Sequence, residues 1–539
     1  STFSYDFVMN KSRAWKDPRT SDGDDDNGRF SKDYNDITNM TWSNILTYQT
    51  KIKKKHNLDL LVGYEINSKE SDGLGTTISN FARWDKPEVN NGVVYQSMGG
   101  SNSTTRIVSY ITRANYDYDN KYYLGASWRT DGSSRLAREN RWGNFWSLSG
   151  AWRVSSESFM KPLQNWLSDL KLRVSYGVNG TLPSSYYGYM GLSSLTSNYN
   201  DNPGIKQSQL ENKELTWETN YNFNSGIDLG FFDNRLNVTF EYYVRTTKNL
   251  LYSRPLSLAT GFSSYLANIG KLQNKGYELE IRSTNIETKD FRWSTSLNLG
   301  HNANKILKLD GDLKQVTSGT SIHKVGLPYS TYYMIEFAGI DPADGEPMFY
   351  KNTTDENGNL NKETTKDPRS AEKVILQCAD PTITGGLGNS ISYKWFDLNF
   401  NVNFSFGAWN YDGSASKLEH GGDGTLNIPI YYRKRWQKEG DETSIERFVV
   451  GRSISMTDYA TTRRLYSGDY VRLKNLTFGF TLPKTWTRKV GIDNIRLYAS
   501  GNNLLTWATY DYIDPESGSS PSWDTPPMRT YTFGLEVKF

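Results

Sequence analysis

The side chains best suited to holding a ligand are aromatic rings set in long polar connecting segments. They are Trp84, Tyr95, Tyr186, Tyr187, Tyr189, Tyr199, Tyr265, Tyr332, Tyr333, Trp409, Tyr411 and Trp523. A sugar ring offers an apolar C–H face that stacks on such a ring, and Asn, Asp and Arg beside it bond its hydroxyls. Trp409 and Tyr411 follow a strand end at Phe406-Gly407-Ala408, from which side chains overhang the interior of a rolled sheet. Together with Trp84 and Tyr95 they are the expected substrate contacts. The competing reading for each ring is loop-to-loop packing or contact with a covering partner.

Catalysis finds little support. The four histidines (His56, His301, His323 and His420) are scattered, and none sits in an HExxH pattern or beside a plausible nucleophile. No GxxxxGK[ST] phosphate loop occurs, so energy for any work must come from outside. Asp22, Asp24 and Asp26 lie two apart in Asp22–Gly28 (DGDDDNG), a spacing that suits calcium. The glycine is misplaced for an EF-hand, however, and the bidentate Glu is missing. A solvated acidic loop is the simpler reading there, and equally for Asp341, Asp344 and Glu346. Asn357-Gly358, within Thr353–Leu360, reads as a hairpin turn. The chain is expected to have no catalytic residue, no metal and no cofactor.

The elements that must position these residues are strands. The 539 residues carry 62 Lys+Arg against 59 Asp+Glu, a net charge of +3 with no basic field for nucleic acid. The single Cys378 excludes an internal disulfide framework. With 14% aromatics, 45 glycines and a mean hydropathy of −0.68, the composition is unlike that of an ordinary cytosolic enzyme. The longest unbroken apolar run, Tyr332–Ile335, falls far short of the ~20 residues of a spanning helix.

Alternation with a period of two dominates instead. Leu58, Leu60, Val62, Tyr64 and Ile66 alternate with Asp59, Leu61, Gly63 and Glu65, and Phe396 to Phe406 alternate with Asp397 to Ser405. Sixteen such segments are expected near 3–11, 36–50, 57–67, 106–118, 121–131, 144–154, 169–179, 214–229, 235–247, 273–286, 291–302, 383–394, 396–407, 468–482, 493–505 and 529–539. Short links such as Lys53–His56, Asp119-Asn120 and Phe232–Asn234 alternate with long ones, notably 68–105, 180–213, 303–382 and 408–467. That asymmetry implies an up-and-down barrel with tight turns at one rim and large loops at the other. So wide a barrel cannot fill an apolar interior with side chains, which puts the apolar face outward against lipid. Tyr116, Tyr118, Tyr122, Trp146, Trp152, Trp293, Tyr393 and Trp395, near segment ends, suit aromatic girdles. Within the link 155–168, apolar residues at helical spacing predict a short helix near 156–167 that caps the tight-turn rim.

The stretches Leu170–Gly180 (LKLRVSYGVNG), Leu215–Leu251, Asn268–Ile281 (NIGKLQNKGYELEI), Asp341–Tyr350 (DPADGEPMFY), Tyr470–Pro483 (YVRLKNLTFGFTLP), Asn502–Glu516 (NNLLTWATYDYIDPE) and Met528–Phe539 occur in a telling order. In content and order they resemble the C-terminal part of the SusC/RagA-type TonB-dependent transporters of Bacteroidota outer membranes. The resemblance implies a 22-stranded transmembrane barrel holding an N-terminal plug, a TonB-binding segment and a SusD-like surface lipoprotein as a lid. The sixteen segments would be the last sixteen strands, with plug, TonB box and about six strands absent from this chain. Ser1–Tyr5 reads as mid-strand, as expected for a piece of a longer protein. Phe539, with aromatic or apolar residues at alternate positions before it, resembles the signal read by outer-membrane assembly machinery.

The expectation is an all-β transmembrane antiparallel barrel in a Gram-negative outer membrane, working in TonB-driven import of oligosaccharides. Expected partners are a SusD-like lipoprotein, the TonB complex, the ligand and outer-membrane lipid. Peptides are an alternative cargo. A passive 16-stranded porin and a secreted all-β glycan-binding module or hydrolase are the rival readings.

Overall fold

The computed structural model describes all residues except 201, 310, 312, 357, 423–426, 451–458, 488–490, 511 and 518–525. Asn357 and Trp523 therefore lie outside the described residues. Sixteen strands are hydrogen-bonded in chain order. The first eight are β1 (Thr2–Lys16), β2 (Arg29–Ile52), β3 (His56–Phe81), β4 (Gly92–Tyr118), β5 (Tyr122–Ser133), β6 (Trp142–Arg153), β7 (Leu167–Thr181) and β8 (Glu218–Phe231). The other eight are β9 (Leu236–Lys248), β10 (Lys271–Glu287), β11 (Phe291–Lys308), β12 (Ile383–Tyr393), β13 (Phe396–Phe406), β14 (Tyr470–Thr481), β15 (Asn494–Ala508) and β16 (Thr530–Lys538). Every expected segment has its strand.

Two compact units divide the chain. One comprises Ser1–Trp152, Val174–Phe223 and Thr246–Gly270; the other comprises Arg153–Arg173, Asn224–Arg245 and Lys271–Phe539. In the first, the register aligns Leu46, Val62, Thr112, Trp128 and Trp146 in one cross-strand row. The next row, on the opposite face, is Thr47, Leu61, Arg113, Ser127 and Ser147. Leu46 is 74% exposed and Val62 57%, although each sits inside a paired strand. The second unit repeats the arrangement. Ile281, Leu297, Leu387, Val402 and Leu473 form one row, and Arg282, Ser296, Gly388, Asn401 and Asn475 the adjacent one. An apolar face this continuous cannot be left against water without a large penalty, so its medium is lipid.

The polar face is knitted by charge. Arg173 of β7 donates to Asp228 of β8 at 2.8 and 3.0 Å and to Glu241 of β9 at 2.7 Å. Arg496 of β15 reaches across β14 to Asp397 of β13 at 2.8 Å. These groups keep access to water, and the bridges fix strand spacing more than they add stability.

Two expectations are corrected. Most of 68–105 is strand rather than loop: β3 and β4 are 26 and 27 residues long and pair almost to their ends. At ~3.3 Å per residue such a hairpin is roughly 85 Å long, well beyond the ~30 Å hydrocarbon layer. Its outer half hides from pattern reading because Ser, Thr, Gly and Asp occupy both faces there. The segment 155–168 forms two 3₁₀ turns, Val154–Ser156 and Ser158–Leu163, instead of one longer helix. Pro162 has no N–H for a continuing ladder, and the apolar set splits, with Met160 and Leu167 buried but Phe159 and Trp166 exposed.

Each unit also has a packed core, which in the first unit includes Phe145 of β6 and Val178 of β7. In the first, Leu136, Phe145, Val178, Leu215 and Trp217 pack with Tyr189, Leu251 and Leu266. In the second, Tyr332, Met334 and Tyr411 form one cluster, and Ile335 with Phe349 another. The long link 303–382 is therefore a folded body. It holds a four-stranded sheet (315–318, 321–324, 331–335, 373–378) and a three-stranded one (337–340, 347–350, 364–365).

A charge on the outward row tests the facing. Val402→Arg is expected to destabilise the membrane-inserted protein by about 2–4 kcal/mol. Asn401→Arg, one residue along and on the other face, should cost less than about 1 kcal/mol. Denaturant unfolding from lipid vesicles measures both, and equal costs would contradict the assigned faces.

Candidate ligand site in the folded loops

The site grows from the end of β13. Gly407 has φ +85°, and a Cβ there would come within 2.4 Å of the Thr382 side chain. Its N–H donates to Asp469 at 2.6 Å, which turns the chain out of the sheet. Trp409–Tyr411 then pairs antiparallel with Leu465–Ser467. Asp412 follows as the cap of the short helix Gly413–Leu418, its carboxylate accepting from the Ala415 N–H at 2.7 Å.

Around this two-stranded stem lies a dense ionic and phenolic cluster. Glu446 is fully buried, accepts from Tyr432 Oη at 3.1 Å and pairs with Arg463 at 2.5 Å. Glu419 lies 3.6 Å from Arg463 and 3.4 Å from Arg464, and also accepts from Tyr431 Oη. Asp412 accepts from Tyr510 Oη at 2.9 Å. Two guanidinium groups thus face three carboxylates, and three phenols donate into the set, so each buried carboxylate has a partner.

The phenol rings make a step that leads outward. Tyr466 stacks on Tyr510 at 3.8 Å, Tyr510 meets Tyr512 at 5.2 Å, and Tyr431 meets Tyr512 at 5.3 Å. Tyr512 is 66% exposed while the rings behind it are partly or fully buried. Nearby, Arg472 donates to Asp514 at 2.6 Å and to Glu516 at 2.8 Å, which ties the segment carrying Tyr512 to β14. A rigid exposed ring backed by fixed carboxylates can stack on an apolar ring face and bond hydroxyls at its edge.

The four expected contacts fall in different settings. Tyr411 is packed against Tyr332 and Met334 rather than overhanging an interior, and Trp409 borders the same cluster. In the other unit, the Arg19 guanidinium covers the Trp84 ring at 3.5 Å, and Tyr95 lies in β4 opposite Ile78, 61% exposed. Tyr431, Tyr432, Tyr510 and Tyr512 were not among the expected contacts. Their signal in the sequence was the Tyr431-Tyr432 doublet, the Arg463-Arg464 doublet and the Tyr510/Tyr512 spacing.

The acidic loops hold cations of their own. Lys366 lies 2.7 Å from both Asp341 and Asp344, and its ammonium holds both carboxyls below the usual carboxylate range. Glu346 pairs with Arg447 at 2.7 Å, and Asp26 with Arg29 at 2.5 Å. Gly358 has φ +84°, with its N–H donating to the Asp355 carbonyl at 3.0 Å. Among the described residues no cluster of three His, Cys, Asp or Glu side chains is arranged to hold a metal.

Comparison with known proteins decides the family. The family model described as "TonB dependent receptor-like, beta-barrel" matches residues 1–504. The chain belongs to the TonB-dependent receptor barrel family. It is 33% identical to TonB-dependent receptor P3 of Formosa agariphila over 95% of this chain and 53% of that receptor. To TonB-dependent receptor SusC of Bacteroides thetaiotaomicron it is 30% identical, over 80% of this chain and 44% of that one. Among solved structures, the RagAB peptide transporter superposes with a TM-score of 0.86 at 28% identity, covering all of this chain and 59% of that one. The chain spans about half the length of the curated relatives it matches. TonB-dependent receptor barrels of Bacteroidota are integral outer-membrane proteins, and this chain is one. No helix among the described residues is long and apolar enough to cross a membrane, so crossing falls to strands. The family is one of receptors rather than enzymes, and the porin and secreted-module readings fall with it.

Two measurements follow from the cluster. Glu446→Gln leaves Arg463 short of its buried counter-charge and is expected to cost about 3–5 kcal/mol. Limited proteolysis between residues 408 and 467 would show it as faster cleavage, and cleavage at the native rate would count against the network. Burial, and then the carboxylates beside them, hold the phenols of Tyr431, Tyr432 and Tyr510 above the usual tyrosine range. A raised phenol favours the native state fully below its ordinary value, near pH 10, and that contribution is lost as pH rises further. Phenolate absorbance from these rings should therefore appear only together with loss of the near-ultraviolet circular dichroism of the folded protein.

Proposed function

We propose that the chain is the barrel part of an importer that takes oligosaccharides across the outer membrane, driven by TonB and assisted by a SusD-like surface lipoprotein. The observation that carries the cargo class is the exposed Tyr512 ring, stepped onto Tyr510 and Tyr431 and backed by Asp412 and Glu419. In this reading the tight turns face the periplasm, and the folded links 303–382 and 408–467 stand at the cell surface under the lid. Trp409 and Tyr411 are candidate contacts of the second unit, Tyr411 through the packing that steadies the stem, and Trp84 and Tyr95 are separate candidates of the first from their exposed positions. Coupling to TonB rests with sequence that the longer relatives carry beyond the matched half. The polar strand face, rich in Asn, Ser and bridged charges, supplies a wet route inward.

A peptide cargo is the second reading. It is favoured by the 0.86 TM-score to the RagAB peptide transporter over the whole of this chain. Titration of the full-length receptor, purified with its lipoprotein partner, against an oligosaccharide panel and a peptide panel separates the two. Tyr512→Ala is expected to weaken oligosaccharide binding about tenfold, the loss of roughly 1.4 kcal/mol of stacking and burial. Binding of peptides with no response to any oligosaccharide would overturn the sugar reading.

A further inference from the structure

The turn between β2 and β3 carries residues that its backbone disfavours. The Lys55 N–H donates to the Ile52 carbonyl at 3.3 Å, so Lys53 and Lys54 are the two central residues of a tight turn. Their φ angles are +49° and +59°. Ile52 pairs with His56, so Lys53–Lys55 form the link, and two successive positive φ values in a hairpin turn favour Asn, Asp or Gly, because a Cβ crowds the backbone there. The next turn at the same end of the unit meets that demand in the usual way, with Asp119 and Asn120 both at φ +55°. Strain kept at one turn and avoided at its neighbour points to a use for the two lysine side chains.

Their surroundings indicate what use. Lys55 is taken by Asp119 at 3.1 Å, whereas Lys53 and Lys54 are exposed and form no ion pair among the described residues. Directly beside the turn runs a row of rings on the outward face. His56 contacts Tyr118 at 4.9 Å and hydrogen-bonds Tyr116 at 2.8 Å; Tyr118 stacks with Tyr122 at 6.4 Å, and Tyr122 with Trp152 at 6.3 Å. Below that row the same face is aliphatic, with Leu46 and Val62 exposed. The order from aliphatic to aromatic to unpaired ammonium reproduces the order of a lipid monolayer from acyl chain to interface to phosphate.

The second unit has the pattern again. Lys394, at φ +51°, is the turn residue between Tyr393 and Trp395, both about half exposed, with its ammonium 5.4 Å from the Tyr393 ring centre. A lysine at a left-handed turn position flanked by outward aromatics thus occurs independently in each unit.

We propose that Lys53 and Lys54 form a headgroup site for an anionic phospholipid of the periplasmic leaflet, gripping its phosphate while the row from His56 to Trp152 lies along the upper part of its acyl chains. Short turns of outer-membrane barrels face the periplasm, where the leaflet is phospholipid.

The test uses the full-length receptor in vesicles of phosphatidylcholine alone or mixed with phosphatidylglycerol, with retained lipid read by native mass spectrometry. The variants are Lys53→Asn/Lys54→Gly, which removes the charge and relaxes the turn, and Lys53→Gln/Lys54→Gln, which removes the charge only. Both should lose phosphatidylglycerol preference by roughly 25-fold, at about fivefold per lysine near the surface. The Asn-Gly variant should be at least as heat-stable as the parent in phosphatidylcholine, so its lost preference cannot be blamed on misfolding. Unchanged preference in both variants would overturn the proposal. Added inorganic phosphate should not raise the parent's thermal stability in phosphatidylcholine; a rise that the variants lack would assign the lysines to a free anion and overturn the lipid assignment.

Discussion

Every backbone N–H and C=O that crosses hydrocarbon must find its partner within the protein, because lipid offers none. Here antiparallel neighbours in chain order meet that demand for the fourteen strands from β2 to β15, each paired on both sides, while β1 and β16 are each paired on one. Once the backbone is satisfied by pairing, side chains are sorted only by which face of the pleat they occupy. Hence the strict rows, such as Ile281–Leu297–Leu387–Val402–Leu473 beside Arg282–Ser296–Gly388–Asn401–Asn475. A slip of one residue would send arginine into lipid and leucine into water, so tight turns that fix register matter as much as the strands.

The long links depend on that frame without sharing its logic. They enclose their own apolar clusters, around Leu215 and Trp217 in one unit and around Met334 and Tyr411 in the other. The buried Glu446–Arg463 pair and its phenolic neighbours add little net stability, given what desolvating them costs. What such a network provides is direction: each of the three phenols has one carboxylate acceptor, and the rings of Tyr431, Tyr510 and Tyr512 are held at set angles. A receptor whose chemistry is recognition needs an aromatic surface that does not collapse when empty, and fixed phenols behind an exposed one meet that need.

The two lysines at the β2–β3 turn and the packed links have one feature in common. In each, residue choice departs from what the local backbone or burial would select, and the departure is explained by a neighbour. Lys53 and Lys54 tolerate a left-handed backbone beside an aromatic row at the membrane edge. Glu446 tolerates full burial beside Arg463.

The sequence by itself determined the long strands of the sixteen-stranded sheet and their alternation, since a period of two against lipid leaves each segment one stable arrangement. It showed the tight turns and the family. It understated the β3–β4 hairpin, because where both faces meet water no alternation survives in the outer half. It suggested one helix near 156–167, where Pro162 and tertiary contacts settle for 3₁₀ turns. Only the tertiary structure decided the loops. Tyr411 and Tyr512 are alike in type and polar surroundings, yet one is buried against Tyr332 and the other lies open. Contacts between residues a hundred positions apart, such as Tyr510 with Asp412, leave no period in the chain, and so nothing short of the folded structure reveals them.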